Sequence, residues 1–219
     1  MLYQDASVIA VNKPAGLLSV PGRGEDKQDC LSGRLQVSFP DTLVIHRLDM
    51  DTSGVMLFAR DIECQRKLSA LFANRQVIKH YRALVNGCVD ADEGKIDYPL
   101  AADWPNRPRQ KIDYDNGKAS LTRWQKISVD SNNKVTELML FPETGRSHQL
   151  RVHLHAIGHP VLGDPLYCVY NPVQKSSDMA PRLMLHACYV EFIHPVDQTR
   201  VQIDCPMDLQ KIYRESQVT

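Results

Sequence analysis

The sequence has 219 residues, 43% hydrophobic and 24% charged, the profile of a globular protein with one sizeable core. Basic and acidic residues balance at 26 each, so the net charge is zero; this counts mildly against a nucleic-acid partner, although binding follows the arrangement of charge more than its sum. No apolar run reaches the length of about eighteen residues that a membrane span needs, and Met1-Leu2-Tyr3-Gln4-Asp5 lacks the start of a signal peptide, so a cytoplasmic protein without membrane attachment is expected.

Ser7–Val11 reads as a first buried strand, ended by the turn Asn12-Lys13-Pro14-Ala15-Gly16. Cys30–Phe39 reads as a short helix stopped at Pro40. Val55–Ala59 is a continuous apolar strand. Asp61 fits an N-cap for a helix to about Ala73, with Cys64, Leu68, Leu71 and Phe72 on one stripe. Tyr81–Val85 and Leu121–Val129 read as strands, and Val135–Phe141 pairs with the latter across Ser131-Asn132-Asn133. Ser147–Ile157 reads as a helix closed by Gly158 and Pro160. Strands at Met184–Phe192 and Arg200–Ile203 complete an α+β protein in which most neighbours can be antiparallel. The six cysteines are scattered without a close pair, which argues against a zinc knuckle and a disulfide framework.

The richest stretch in chemistry is His46-Arg47-Leu48-Asp49-Met50-Asp51-Thr52-Ser53-Gly54, a charged and hydroxyl-bearing loop running into a buried strand. Asp51 precedes a turn-forming run and reads as structural. Asp49, between Leu48 and Met50, is the expected buried acid. Spacing alone allows two readings of it: a catalytic carboxylate, or an aspartate that caps a turn or pairs with a neighbouring arginine.

In the late helix Leu150, Leu154 and Ile157 form the apolar stripe, and Arg151 falls off it, placed to reach a buried acid. Arg146 and the first-turn amides face whatever lies at the helix N-terminus. His148, His153, His155 and His159 have some ligand-like separations, but no acid lies within the helix and Gly158 interrupts it, so no metal site is expected. Basic residues cluster at Arg75, Lys79, His80 and Arg82, at Arg107, Arg109 and Lys111, and at Arg146, His148 and Arg151; a charge cluster is more often a solvated face than a binding site, so none of them decides the matter alone.

Taken together, these blocks resemble the RluA family of pseudouridine synthases. His46-Arg47-Leu48-Asp49-x-x-Thr52-Ser53-Gly54 is similar to the family's signature loop, Lys79-His80-Tyr81 to its Lys-x-Tyr motif, and Gly145-Arg146-Ser147-His148-Gln149-Leu150-Arg151-Val152-His153 to its third motif. Asn12–Gly16 and Gly158–Asp164 also fit, and all stand in the family's order. Asp103-Trp104-Pro105-Asn106-Arg107-Pro108, Gln110-Lys111 and Met179-Ala180-Pro181-Arg182-Leu183 resemble the branch that acts on both a tRNA anticodon-loop uridine and a large-subunit rRNA uridine. Ser147 and Leu150 depart from the Thr and Ile of many relatives.

The resemblance implies one catalytic domain over residues 1–219, a mixed and mostly antiparallel sheet around a central cleft, and no N-terminal S4-like RNA-binding module. It implies RNA as partner and no cofactor; the sequence leaves the oligomeric state open, and a monomer is our expectation. It makes Asp49 the catalytic carboxylate, Arg151 its cationic partner and Tyr81 the ring against the target uracil. Leu150 closes the other side of the base. Arg47 takes the place of the everted nucleotide or holds its phosphate. His46, Arg146, Arg107, Arg109 and Lys111 are the remaining RNA-binding candidates. Two rivals stay open on the residues alone: a nucleoside or glycoside hydrolase, which normally uses two facing acids, and a non-catalytic RNA-binding module.

Overall fold

The computed structural model describes residues 1–168 and 180–217. The strands are β1 (Tyr3–Gln4), β2 (Val8–Lys13), β3 (Leu43–Val44), β4 (Ser53–Ala59), β5 (Ile78–Asn86), β6 (Glu93–Asp97), β7 (Leu100–Ala102), β8 (Gln110–Ile112), β9 (Leu121–Asp130), β10 (Val135–Pro142), β11 (Leu185–Ile193) and β12 (Arg200–Asp204). The helices are α1 (Leu31–Ser38), α2 (Ile62–Ala73), α3 (Gln149–Ala156) and α4 (Leu209–Ser216). The class is α+β, and the pairing is mostly antiparallel. Met179, the first residue of the Met179–Leu183 block, lies outside the described residues. No helix among the described residues is long and apolar enough to cross a membrane.

The described chain forms two compact units. The first comprises Met1–Lys79 and His186–Met207. Its centre is β4, every residue of which is buried; the unbroken apolar run Val55–Ala59 fits a strand covered on both faces. β2 runs antiparallel along one edge of β4, pairing Val8 with Ala59 and Lys13 with Gly54. The other edge takes β3 at its far end and β11, in parallel, at its start. β12 pairs with β11, and β1 with β2. α2 begins where expected, because the Asp61 carboxylate accepts from the Cys64 amide at 2.8 Å. It packs Cys64 and Leu68 inward.

The second unit comprises His80–Leu185 and the chain from Asp208. Here β5, β10, β9 and β6 lie side by side, each antiparallel to the next. β7 and β8 form a separate hairpin, which stands against α3 through Leu100, Val152 and Tyr167, with Ile112 and Leu166 packed around them. α4, capped by Asp208 on the Lys211 amide, buries Leu209 and Tyr213. Its Gln210 amide donates to Ser128 Oγ at 2.6 Å and to Glu137 Oε2 at 3.0 Å.

α3 is shorter than the expected Ser147–Ile157. His148 at its N-cap has a left-handed backbone (φ 54), which ordinary helical turns exclude. The Gln149 side chain then organises the turn. Its oxygen accepts from Thr144 Oγ1 and the Arg146 amide, and its nitrogen donates to Leu121 O and Thr122 Oγ1. These four bonds fix the start of the helix against the beginning of β9.

Candidate active site

The residues proposed for chemistry fall in both units. His46, Arg47 and Asp49 share one loop of the first. Tyr81, Arg107, Arg109, Lys111, Arg146, Leu150 and Arg151 belong to the second.

The Asp49 loop is held on both sides by the segment that follows β2. Lys13 is fully buried, and an ammonium out of water is costly unless its donors are met. Its Nζ donates to three carbonyls, Pro14 O (3.0 Å), Leu17 O (2.7 Å) and Met50 O (2.7 Å). The Met50 carbonyl also accepts from the Gly16 amide at 3.0 Å. On the other side of Asp49, Ser19 Oγ donates to Leu48 O at 2.6 Å and accepts from the Leu48 amide at 3.1 Å. Both peptide neighbours of Asp49 are therefore tied to residues 13–19. Beyond it, the Thr52 amide closes a turn onto the Asp49 carbonyl at 3.2 Å.

The ends of the loop are fixed as firmly. His46 Nε2 accepts from the Leu57 amide at 2.9 Å, so its proton sits on Nδ1. Its ring stacks on Phe72 at 4.4 Å. Burial, with a smaller contribution from the Lys79 ammonium, pushes the imidazole pKa down to about 3. At neutral pH His46 is thus an uncharged strut between loop and strand, which favours a positioning role over an ionic RNA contact. At the other end Ser53 Oγ meets His186 Nδ1 at 2.8 Å, and His186 Nε2 meets Cys205 O at 2.7 Å. Gly54 has φ +118, and a Cβ there would sit 2.2 Å from the Ala187 carbonyl oxygen. Only glycine allows β11 to come so close. Asp49 itself, expected from its apolar neighbours to be buried, is partly exposed because Leu48 turns inward while Met50 faces solvent, and Arg47 is exposed. Arg47 makes no hydrogen bond or ion pair among the described residues.

From the sequence, Asp49 is the acid that Arg151 is expected to reach; within the second unit the Arg151 guanidinium forks onto Asp164, an acid not expected as its partner. Arg151 Nε donates to Asp164 Oδ2 and Nη2 to Oδ1, both at 2.7 Å. The guanidinium is 2% exposed and the carboxylate 0%. Such a two-pronged pair has the geometry that compensates buried charge. Asp164 also accepts from the amides of Leu166 and Tyr167. The fork uses two of the five guanidinium N–H donors. The Arg151 carbon Cζ lies 5.2 Å from the Tyr167 ring centroid. The Tyr167 hydroxyl joins His148 Nδ1 and accepts from the Gln110 amide of β8, each at 2.7 Å. Tyr167 thereby connects the arginine helix to the β7–β8 hairpin.

Leu150 is buried on α3, and Tyr81 is half-buried on β5 opposite Leu140. Arg146 is exposed, its Nε donating to Ala119 O at 3.4 Å. Arg107 is exposed and stacks on Trp104, Arg109 is half-exposed, and Lys111 pairs with Asp113 at 3.2 Å. The four histidines each have other contacts. His153 meets Thr122 Oγ1 and Tyr98 O, His159 meets Asn86 O, His148 meets Tyr167, and His155 tilts over the Tyr167 ring.

Lys13, Ser19, Asp164, Tyr167 and His186 support this geometry without having been singled out one by one from the sequence. Lys13 and Asp164 did stand inside blocks that matched the family pattern, and that was the available signal.

A family model described as RNA pseudouridylate synthase matches residues 7–156. The chain is 47% identical over 205 residues to the dual-specificity RNA pseudouridine synthase RluA of Yersinia pestis, covering 94% of this chain and 97% of that protein. It is 44% identical over 208 residues to the protein of the same name from Escherichia coli (strain K12), with 95% and 93% covered. Among solved structures it is similar to human RNA pseudouridylate synthase domain containing 1, with a TM-score of 0.76 and 27% identity over 100% of this chain and 94% of that one.

Proposed function

Because this chain belongs to the RluA family of RNA pseudouridine synthases, and so isomerises uridine in RNA, we propose that Asp49 is the carboxylate that acts at the target nucleotide. The reaction breaks the bond between ribose C1′ and uracil N1, turns the base, and joins C1′ to C5. The C5 proton leaves and N1 takes one up, so atoms and electrons balance without redox chemistry or a cofactor. The observation that supports the choice of Asp49 is the double tether of its neighbours: Leu48 to Ser19, and Met50 to Lys13 and Gly16. A loop held this firmly before substrate arrives is what orientation catalysis requires.

The other roles follow from each side chain's chemistry. Tyr81 offers a flat phenol to the uracil and a hydroxyl near C5, and Leu150 an aliphatic wall. Everting the nucleotide costs a few kcal/mol. Arg47, exposed on the same loop as Asp49, takes the vacated place or the adjoining phosphate. Arg151 serves two acids, Asp164 within its own unit and Asp49 at the uridine, where a cation favours the ionised carboxylate. Arg146, Arg107, Arg109 and Lys111 hold the RNA backbone. In this reading residues 1–219 work as one catalytic domain, monomeric and cytoplasmic. Its substrates are a tRNA anticodon-loop uridine and a large-subunit rRNA uridine.

The test is Asp49→Asn, assayed by tritium release from RNA carrying [5-³H]uridine and by RNA affinity. Release falls by at least about 10³-fold while binding persists, since the variant keeps the shape and loses the charge. Undiminished release by Asp49→Asn would overturn the assignment. Free uracil among the products would indicate a hydrolase.

A further inference from the structure

The loop between β7 and β8 carries a feature that none of the assigned roles uses. Trp104 is 68% exposed, and the Arg107 guanidinium carbon lies over its ring at 3.5 Å from the centroid. A solitary exposed aromatic is ordinary on a protein surface. Three observations set this one apart. The first is the stacked cation, which covers part of the ring while remaining charged and exposed.

The second is the loop's bracing. The Asp103 amide donates to Arg109 O, the Asn106 amide to Asp103 O and the Arg109 amide to Asn106 O, each at 3.0 Å. The Asn106 side chain donates to Asp103 Oδ2 at 3.0 Å. Trp104 is therefore displayed from a short, internally bonded loop, and little ordering entropy remains to be lost on binding. The third is the setting: Arg107, Arg109 and Lys111 stand within five residues, in a chain with zero net charge overall. An apolar protein partner or a lipid surface would call for more exposed hydrophobic side chains here. A flat ring among cations matches a polyanion that carries flat, unpaired bases.

We propose that Trp104, backed by Arg107, is a stacking platform for an unpaired base of the substrate RNA other than the target uridine. The proposal rests on the reading above that RNA is bound, and it gives the basic loop a contact to a base in addition to its contacts to phosphates. Stacking needs only a π-face, so the platform selects for a base that is splayed out and tolerates its identity. The preference it confers is for loops over duplex. The hairpin is joined to the arginine helix through Gln110 and Tyr167, so a base held on Trp104 takes a fixed position relative to Arg151.

The experiment compares wild type, Trp104→Ala and Trp104→Phe with a tRNA transcript, and with synthetic anticodon stem-loops in which one non-target loop nucleotide at a time is abasic. Trp104→Ala weakens binding about ten-fold or more and raises KM with kcat unchanged at saturating RNA. Trp104→Phe retains most of the affinity. The salt dependence of binding keeps its slope in both, since no charge is lost. At one loop position an abasic nucleotide costs wild type a similar factor and costs Trp104→Ala nothing further. Equal affinity of wild type and Trp104→Ala overturns the proposal, as does an equal abasic penalty in both proteins at every position. Failure of the functional reading looks different: wild type then releases no tritium from any RNA, whatever residue 104 is.

Discussion

Replacing Asp164 by Asn tests whether the buried fork holds the arginine helix together. The change conserves shape and removes one charge. The Asn carbonyl can still accept from the Leu166 and Tyr167 amides, but its NH₂ group then faces the Arg151 guanidinium, donor against donor. Arg151 is 2% exposed, so water cannot take over. Removing one partner of a buried pair costs about 3–5 kcal/mol, a large share of the roughly 5–15 kcal/mol that stabilises a typical domain. Urea unfolding followed by circular dichroism should show a lower midpoint for Asp164→Asn and a similar loss for Arg151→Met. The double variant Arg151→Met with Asp164→Leu removes both charges and recovers part of the loss, giving a coupling of at least about 2 kcal/mol. Additive single losses, or a loss under about 1 kcal/mol for Asp164→Asn, would refute the account.

Two further outcomes follow from the first unit. Gly54→Ala places a methyl 2.2 Å from the Ala187 oxygen at a φ of +118 and should cost about 3 kcal/mol or more; this is a fall of roughly 6–12 °C in Tm for a chain of this size, and an unchanged Tm contradicts the close approach. His46 is neutral in both the folded and unfolded states above its ordinary pKa of 6.5; below it the unfolded chain gains a proton that the folded protein refuses until about pH 3. Stability attributable to His46 therefore falls by about 1.4 kcal/mol per pH unit through that window as the solution is acidified. His46→Gln, which keeps an acceptor for the Leu57 amide, should show a correspondingly shallower acid limb, and superimposable limbs would rule out the buried neutral imidazole.

Much of the fold was legible because its signals are local. The Asp61 cap, the apolar run of β4, the β9–β10 hairpin and the Leu150/Leu154 stripe each lie within about one element of sequence. No strand was expected between Glu93 and Ile112, because β7 and β8 are three residues each and are separated by prolines and polar residues that look like plain loop. α4 was missed although Leu209, Ile212 and Tyr213 keep helical spacing; only Leu209 and Tyr213 are buried, and much of its hold comes from Gln210. Within the site, the sequence offered Asp49 as the partner of Arg151, and its fork with Asp164 carries no local signal. An aspartate after Gly163 looks like a turn residue until the chain is seen to fold back. Lys13 was hidden for a related reason: a lysine in a sequence implies solvent, and nothing local announces three carbonyls around its ammonium.

On the proposed role of Asp49, that lysine ties the reacting loop to a part of the chain distant in sequence. The carbonyl next to Asp49 hangs from a side chain 37 residues upstream, at the very end of β2. Loosening only the Lys13 end of β2, where it pairs with Gly54, would slacken the Asp49 loop while the rest of β2 stayed on β4. With Asp49 in that role, inactivation by such local loosening should precede global melting.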